Sequence, residues 1–154
     1  MQSNKVSLEI VWWLLTLVLI VLVLLPIYSK IGLLYPFYVS NIAFIIISTT
    51  FIRYIFLLKH HWVSSAKWIK VLFIFTPIPI FFYLTGAFYD FQSFSDEVGL
   101  TSLVQEIPYK DQMRITKYMR VEMVFFFAAA FISNLMMPLR MVISLWREIN
   151  KGTH

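Results

Sequence analysis

Glu122 is the side chain in this sequence best placed to do chemistry, because it lies just inside a long apolar stretch. It follows Ile115 by seven residues, which places both on the apolar stripe of a helix. An ionisable group in such surroundings is a candidate proton or cation site. Asn41 falls at a comparable depth in another apolar stretch, where its amide is placed to donate an interhelical hydrogen bond to the carboxyl group. A structural hydrogen bond and an ion site are therefore both open for this pair.

A second set of polar residues lies near the middle of the apolar stretches. The segment FTPIPIFF contains Pro77 and Pro79, which lack a backbone N–H and leave carbonyl groups unpaired one turn earlier. Thr76 supplies a hydroxyl beside this break, and Asn134 supplies an amide from another stretch. Broken helices line binding sites in transporters, whereas a simple kink only shapes helix packing. Thr76 and Asn134 therefore join the candidate intramembrane polar or ion site.

Three charged residues fall near the ends of the apolar stretches that lie opposite the ends with Asn41 and Glu122. They are Glu9, Arg53 and Arg140. A long basic side chain in such a place extends its charged head towards the lipid headgroups. We expect these residues to act as topology anchors, or to form an ion pair between Glu9 and one of the two arginines.

Motifs tied to a reaction or to a cofactor are absent from the sequence. There is no cysteine, no phosphate-binding loop and no dinucleotide fingerprint, so no cofactor is expected. His60 and His61 are adjacent, which points them apart on a helix, and no metal site is expected there. An enzyme acting on lipid would need an acid–base pair facing a cavity, and only Glu122 and the bases near it offer one. No catalytic residue is assigned, and we expect a protein that is not an enzyme.

The elements that carry these residues follow from composition. Hydrophobic residues make up 60% of the chain and charged residues only 14%, against roughly 25% charged in an average soluble domain. Four stretches approach the roughly 20 residues that cross a bilayer, at about 8–28, 37–58, 71–89 and 121–146. In lipid each stretch must bond its backbone groups internally, so each forms a helix. The sequence predicts an all-α fold, a four-transmembrane-helix bundle that forms one integral membrane domain over 1–154.

The distribution of bases predicts the orientation of the spans. Eight of the 13 lysines and arginines fall on the side of the two termini and five on the other side, which favours cytoplasmic termini. All five tryptophans fall on the terminal side, whereas six of the eight tyrosines fall at or beyond the other ends, and this segregation supports four spans. The absence of cysteine and of glycosylation sequons suits a bacterial inner-membrane protein, and the dispersed bases argue against nucleic acid as a partner.

The long connection at 90–120 holds five of the eight acidic residues, followed by a run of bases. Ser95 is a candidate N-cap for an amphipathic helix, which Pro108 ends. From Tyr109 a second pattern runs into the fourth stretch without a helix breaker, so we expect one extended fourth helix that begins outside the membrane. The apolar face of the loop helix comprises Leu100, Leu103, Val104 and Ile107. The basic face of the extended helix comprises Lys110, Arg114, Lys117 and Arg120.

These features predict a multi-pass protein of the bacterial inner membrane. The leading hypothesis is a non-enzymatic accessory or scaffold subunit of an envelope complex, which binds a protein partner or associates with itself through the loop at 91–120. The basic face then contacts either phosphate headgroups of the lipid bilayer or an acidic partner. The alternative is a small oligomeric channel or transporter that uses Glu122, Asn41 and the proline-kinked third span.

Overall fold

The computed structural model describes residues 2–57 and 67–150, and every regular element within these ranges is a helix. The all-α prediction is therefore confirmed for the described part of the chain. The predicted loop at 59–70, with His60 and His61, lies largely outside the described residues, as does the predicted end of the second span at Leu58. The long helices are α1 (Gln2–Ile31), α2 (Tyr38–Leu57), α3 (Lys67–Phe75), α4 (Pro77–Glu97) and α5 (Tyr109–Asn150), and short 3₁₀ helices lie at Gly32–Leu34 and Leu100–Val104.

Four helical segments in the described ranges are long and apolar enough to cross a membrane, which confirms the predicted number of spans at the level of length and composition. They comprise Val6–Leu34, Tyr38–Leu57, Trp68–Glu97 and Tyr109–Asn150. The third is longer than the predicted 71–89, because no helix breaker separates its apolar centre from the polar residues that flank it. Hydropathy thus identifies the span but not the full length of its helix.

The third segment is α3 followed directly by α4, with Thr76 at the junction. Pro77 and Pro79 cannot donate to the preceding turn. The Thr76 N–H donates to the Leu72 carbonyl at 2.9 Å, and the Thr76 hydroxyl donates to the same carbonyl at 2.8 Å. The Ile80 N–H reaches the Thr76 carbonyl at 3.4 Å. The chain therefore stays helical across the two prolines, with a local break in the backbone ladder.

The packed helices share two ends, which we call the loop end and the terminal end. The loop end carries the 3₁₀ helices Gly32–Leu34 and Leu100–Val104, and the terminal end carries the first turn of α1 and the last turns of α2 and α5. At the loop end α1 gives way to Gly32, whose φ of +63° is one that a residue with a Cβ rarely adopts. Helices α2 and α5 both start at the loop end and run parallel to each other. Helix α5 packs on α2, α3 and α4, and α1 contacts α2 and α5.

The buried apolar residues form two clusters, one at each end of the helices. The larger cluster, towards the loop end, is rich in aromatic rings, and Phe88 and Phe127 stack there with ring centroids 3.9 Å apart. The smaller cluster, towards the terminal end, comprises Phe51, Tyr54, Ile55, Met137 and Met141. In contrast, α1 exposes long aliphatic side chains such as Leu14 and Leu22 along its length. A lipid environment covers such a surface without cost, since hydrocarbon tails are as apolar as leucine.

The connection at the loop end differs from its prediction. Helix α4 continues to Glu97, so Ser95 lies inside a helix and does not cap one. Gly99 ends α4 with a φ of +82°, and its N–H donates to the Phe94 carbonyl at 3.0 Å. A five-residue 3₁₀ helix follows, in which Leu100 and Val104 are 2% exposed and belong to the larger core cluster, while Leu103 and Ile107 pack against that cluster. The four apolar positions therefore contact the protein itself.

The start of α5 agrees with its prediction. Pro108 precedes the helix, and its carbonyl accepts from the N–H groups of Asp111 and Gln112 at 2.8 and 3.0 Å. The Gln112 amide also donates to the Ile107 carbonyl at 2.7 Å. No glycine or proline falls between Tyr109 and the fourth apolar stretch, and one 42-residue helix continues to Asn150 with Pro138 inside it.

Candidate functional site

Glu122 and Asn41 meet at the loop end, where α5 packs along α2. The Asn41 side-chain amide donates a hydrogen bond from Nδ2 to Glu122 Oε1. Asn41 is 0% exposed and Glu122 is 6% exposed, so neither group reaches solvent freely. The two remaining polar atoms, Asn41 Oδ1 and Glu122 Oε2, have no hydrogen-bond partner. The structure thus brings together the first candidate pair and satisfies only half of its polar atoms.

Tyr35 adds a third buried polar group to this place. It lies in the short connection before α2, is 2% exposed, and has a hydroxyl without a hydrogen-bond partner. Its ring is held edge-to-face by Phe37 and Tyr38, with centroids 5.8 and 5.1 Å away. Burial raises the pKa of the Tyr35 phenol, so the hydroxyl keeps its proton. We call Tyr35, Asn41 and Glu122 the loop-end polar cluster.

The phenols around this cluster fix the surrounding backbone. Tyr118, one turn before Glu122, donates to the Val23 carbonyl of α1 at 2.8 Å. Tyr38 donates to the Gly32 carbonyl at 2.7 Å and so holds the end of α1 against the start of α2. Among the described residues no lysine or arginine forms an ion pair with Glu122. Glu122 is therefore a buried carboxyl group without an ion-pair partner in the described part of the chain.

The two other candidates for the intramembrane site lie elsewhere. The Asn134 amide donates to the Pro77 carbonyl at 3.0 Å, and this bond ties α5 to the start of α4. Thr76 bonds within its own helix, to the Leu72 carbonyl. Asn134 lies twelve residues after Glu122 in the sequence, which is about 18 Å along a helix. Asn134 and Thr76 therefore belong to the proline break and not to the loop-end polar cluster.

Glu9 and Arg53 form an ion pair at the terminal end, with Arg53 Nη2 3.0 Å from Glu9 Oε2. The Arg53 side chain is only 3% exposed. Its guanidinium also donates to the Tyr54 hydroxyl at 3.0 Å and lies over the Tyr54 ring at 4.6 Å and the Trp13 ring at 5.8 Å. The pair thus joins α1 to α2 and neutralises a guanidinium that aromatic rings surround.

Arg140, predicted to be a topology anchor or one of two possible partners for Glu9, bonds to a backbone carbonyl. Its Nε donates to the Ile55 carbonyl of α2 at 2.9 Å. The last carbonyls of a helix lack partners within the helix, and a cation there also interacts favourably with the helix dipole. Arg140 therefore bonds to the end of α2, while Arg53 takes the carboxylate.

Sequence analysis missed one buried ion pair, between Lys70 of α3 and Glu148 of α5. The Lys70 side chain is 1% exposed, although its position in the sequence indicated a loop. The pattern of the preceding residues held a signal, because Trp68 and Ile69 extend the apolar stretch backwards past Lys70. A lysine flanked by apolar residues at a span end needs either water or an acidic partner, and Glu148 is the acidic residue at that end of α5.

The basic face is exposed along the first turns of α5, as all four of its side chains are accessible. Arg120 donates to the Ser95 hydroxyl of α4 at 2.8 Å. On an adjoining side of α5, Lys30 and Asp111 form an exposed ion pair at 3.1 Å. A groove of about 380 Å³ separates the basic face from the Leu100–Val104 helix. Its lining includes Thr101, Tyr109, Met113, Thr116, Lys117 and Arg120.

Within residues 2–57 and 67–150 no group of three or more histidine, aspartate or glutamate side chains has the arrangement of a metal site. The sequence matches no protein-family model, and no curated protein or solved structure is detectably similar to the chain.

Proposed function

We propose that this protein is a non-enzymatic accessory or scaffold subunit of an envelope complex. In this proposal the four apolar helical segments form a transmembrane bundle in a bacterial inner membrane, with both termini in the cytoplasm. The segment 91–120 lies on the opposite side and binds a protein partner with an acidic surface. The proposal rests on one contrast. Buried cations of the spans, Arg53 and Lys70, form ion pairs inside the protein, whereas the basic face at the loop end is exposed.

The paired charges support a structural use of the span interior. Glu9 neutralises Arg53, and Glu148 neutralises Lys70, so two of the polar contacts between helices are ion pairs that hold helices in register. Asn134 and Arg140 use their side chains to bind backbone carbonyls of neighbouring helices. Groups committed to such contacts are unsuited to carrying a substrate, because breaking a buried pair leaves an unpaired charge in a low dielectric.

The exposed segment supports a docking role. The Leu100–Val104 helix packs on the core through its apolar side chains, which holds the start of α5 in a defined position. The basic face then projects from a rigid helix, with one base on each successive turn. Like charges arranged in a row attract a surface of opposite charge and orient it during approach. In this proposal, the apolar side chains of the predicted amphipathic helix attach this segment to the helix bundle.

Affinity purification after crosslinking in membranes tests the proposal. A double variant, Arg114→Gln with Lys117→Gln, removes two bases from the basic face. A matched double variant, Arg147→Gln with Lys151→Gln, removes an arginine and a lysine near the C-terminus. We expect one stoichiometric partner, lost from the first variant and retained by the second. Equal recovery of that partner with both variants contradicts docking through the basic face.

The alternative function is a small oligomeric channel or transporter. The unpartnered oxygen of Glu122 and the proline break between α3 and α4 favour it, because transporters bind ions at such features. The same purification separates the two functions. A homo-oligomer without any co-purifying protein, together with ion flux in reconstituted vesicles, supports the alternative and contradicts the scaffold.

A further inference from the structure

The loop-end polar cluster has an unusual deficit of hydrogen bonds. Tyr35 Oη, Asn41 Oδ1 and Glu122 Oε2 are all buried, and none has a partner. A buried polar group without a partner is destabilising, and a buried carboxylate without a cation is more so. The carboxylates of Glu9 and Glu148 have cationic partners, which makes Glu122 the exception among the buried or partly buried carboxyl groups in the described helices.

A count of hydrogen-bond donors and acceptors shows that the pair of Asn41 and Glu122 is short of a donor. An ionised glutamate can only accept hydrogen bonds, and the oxygen of an asparagine amide can only accept as well. Asn41 Oδ1 and Glu122 Oε2 are therefore two acceptors in one buried pair, with the single bond from Asn41 Nδ2 to Glu122 Oε1 between their residues. The Tyr35 hydroxyl can donate only one hydrogen, so it leaves one of these two acceptors unpaired. One added proton on Glu122 Oε2 converts that oxygen into a donor and provides a partner for Asn41 Oδ1.

We infer that Glu122 is a proton-binding site, and that in the folded protein it is a neutral carboxylic acid paired with Asn41 through two reciprocal hydrogen bonds. Asn41 donates from Nδ2 to Oε1, and Glu122 donates from Oε2 to Oδ1. The pair is uncharged, so it needs no cation and loses little by burial between α2 and α5. This inference goes beyond the scaffold function and does not depend on it.

The neighbouring groups are compatible with a neutral acid. The titratable groups that face Glu122 are the phenols of Tyr35, from the connection before α2, and of Tyr118, from its own helix. The Tyr118 hydroxyl is committed to the Val23 carbonyl of α1. Helix α4 contributes apolar side chains to this end of the core, including Leu84 and Phe91. None of the ion pairs of the described residues includes Glu122.

Infrared spectroscopy of the purified protein in lipid tests the protonation directly. The difference between wild type and Glu122→Gln is expected to contain the carbonyl stretch of a hydrogen-bonded carboxylic acid at neutral pH, where an ordinary glutamate is ionised. The matched control, Glu106→Gln, removes an exposed glutamate and is expected to lose only carboxylate bands. Loss of only carboxylate bands in Glu122→Gln overturns the inference. An acid band at the frequency of a free carboxyl group overturns the pairing with Asn41.

The pH dependence of the melting temperature provides a second test. The folded protein keeps the Glu122 proton at a pH where the unfolded chain has lost it, so folding takes up a proton and stability falls as the pH rises. Gln has the shape of the neutral acid but no titratable proton. The Glu122→Gln variant is therefore expected to remain folded, and its melting temperature should fall less than that of the wild type as the pH rises. Parallel pH profiles for wild type and Glu122→Gln contradict a protonated Glu122.

Discussion

At the scale of single residues, two groups of polar side chains in the spans contrast with each other. Arg53 and Lys70 are buried cations that have a carboxylate partner at the terminal end. Asn41 and Glu122 share one hydrogen bond at the loop end and leave two acceptors unpaired. The first kind is stabilised by charge, whereas the second is stabilised by hydrogen bonding. Substitutions that keep shape but change charge should therefore affect the two ends differently.

Glu122→Gln should retain the stability of the wild-type protein at neutral pH, because the new amide can still accept from Asn41. Glu122→Ala should lower the free energy of unfolding by ~1–3 kcal/mol, since it leaves the buried Asn41 amide unsatisfied. Thermal unfolding in one detergent measures both variants. A Gln variant that is folded but inactive in cells would show that the exchangeable proton of Glu122 is needed, and would count against a purely structural Glu122.

Glu148→Gln should be destabilising because it leaves the buried Lys70 ammonium without a counter-charge. The expected loss is about 2 kcal/mol, below the ~3–5 kcal/mol of a fully buried pair, because Glu148 is partly exposed. Adding Lys70→Met to this variant should recover most of the loss, since a linear apolar side chain fills the same space without a charge. Unfolding of the two single variants and the double variant measures the coupling, and additive losses would contradict the pair.

At the scale of elements, the connection between α4 and α5 depends on one backbone conformation. Gly99 turns the chain at a φ of +82°, after which Leu100 and Val104 enter the core. Most of the apolar burial in this connection follows from that turn. The junction between α3 and α4 has no such turn, because the two helices continue through two prolines inside one span.

Gly99→Ala should be destabilising by ~1–2 kcal/mol, because a residue with a Cβ is strained in the left-handed region. The added Cβ would lie 3.5 Å from the Thr101 hydroxyl, so backbone strain and not steric overlap is the cause. Gly86→Ala is the matched control, since it lies within α4 and its Cβ would meet nothing within 4 Å. That change should be stabilising by ~0.5–1 kcal/mol. Equal melting temperatures for the two variants would argue against the Gly99 turn.

At the scale of the whole molecule, the helices differ in how much apolar surface they expose and how much they bury against each other. Helix α1 exposes aliphatic side chains on much of its surface, whereas α2 and α5 bury polar groups against each other at both ends. The parallel pair of α2 and α5 is therefore the centre of the molecule. Both helices begin at the loop end, so the side of the membrane on which that end lies determines where the basic face is presented.

Reporter fusions test the orientation of the whole chain. Fusions after Asn150 should report a cytoplasmic location, because the larger share of lysines and arginines lies at the terminal end. Fusions at Ser102 should report the opposite side. A cytoplasmic signal at Ser102 with an external signal at Asn150 would reverse the orientation while keeping four spans. The same signal at both places would contradict an odd number of crossings between Ser102 and Asn150.

The sequence by itself determined the helical class, the four apolar segments and the start of α5. These features are local, because a segment in lipid must bond its own backbone and a helix continues until a breaker such as Pro108 interrupts it. The same local pattern also predicted that Asn41 and Glu122 lie at a similar depth within their apolar stretches. It did not determine the end of α4, because Ser95 suits an N-cap and a position inside a helix equally well.

Only the tertiary structure decided which polar groups meet. Lys70 and Glu148 are 78 positions apart, and Arg140 bonds to a backbone carbonyl that no sequence pattern marks. Their contacts depend on the rotation and depth of each helix relative to its neighbours, and these are set by the packing of many apolar side chains together. The same packing buries Leu100 and Val104 against the core. Hydropathy is a property of one segment, whereas a buried contact is a property of two, and for that reason the contacts became visible only in the folded chain.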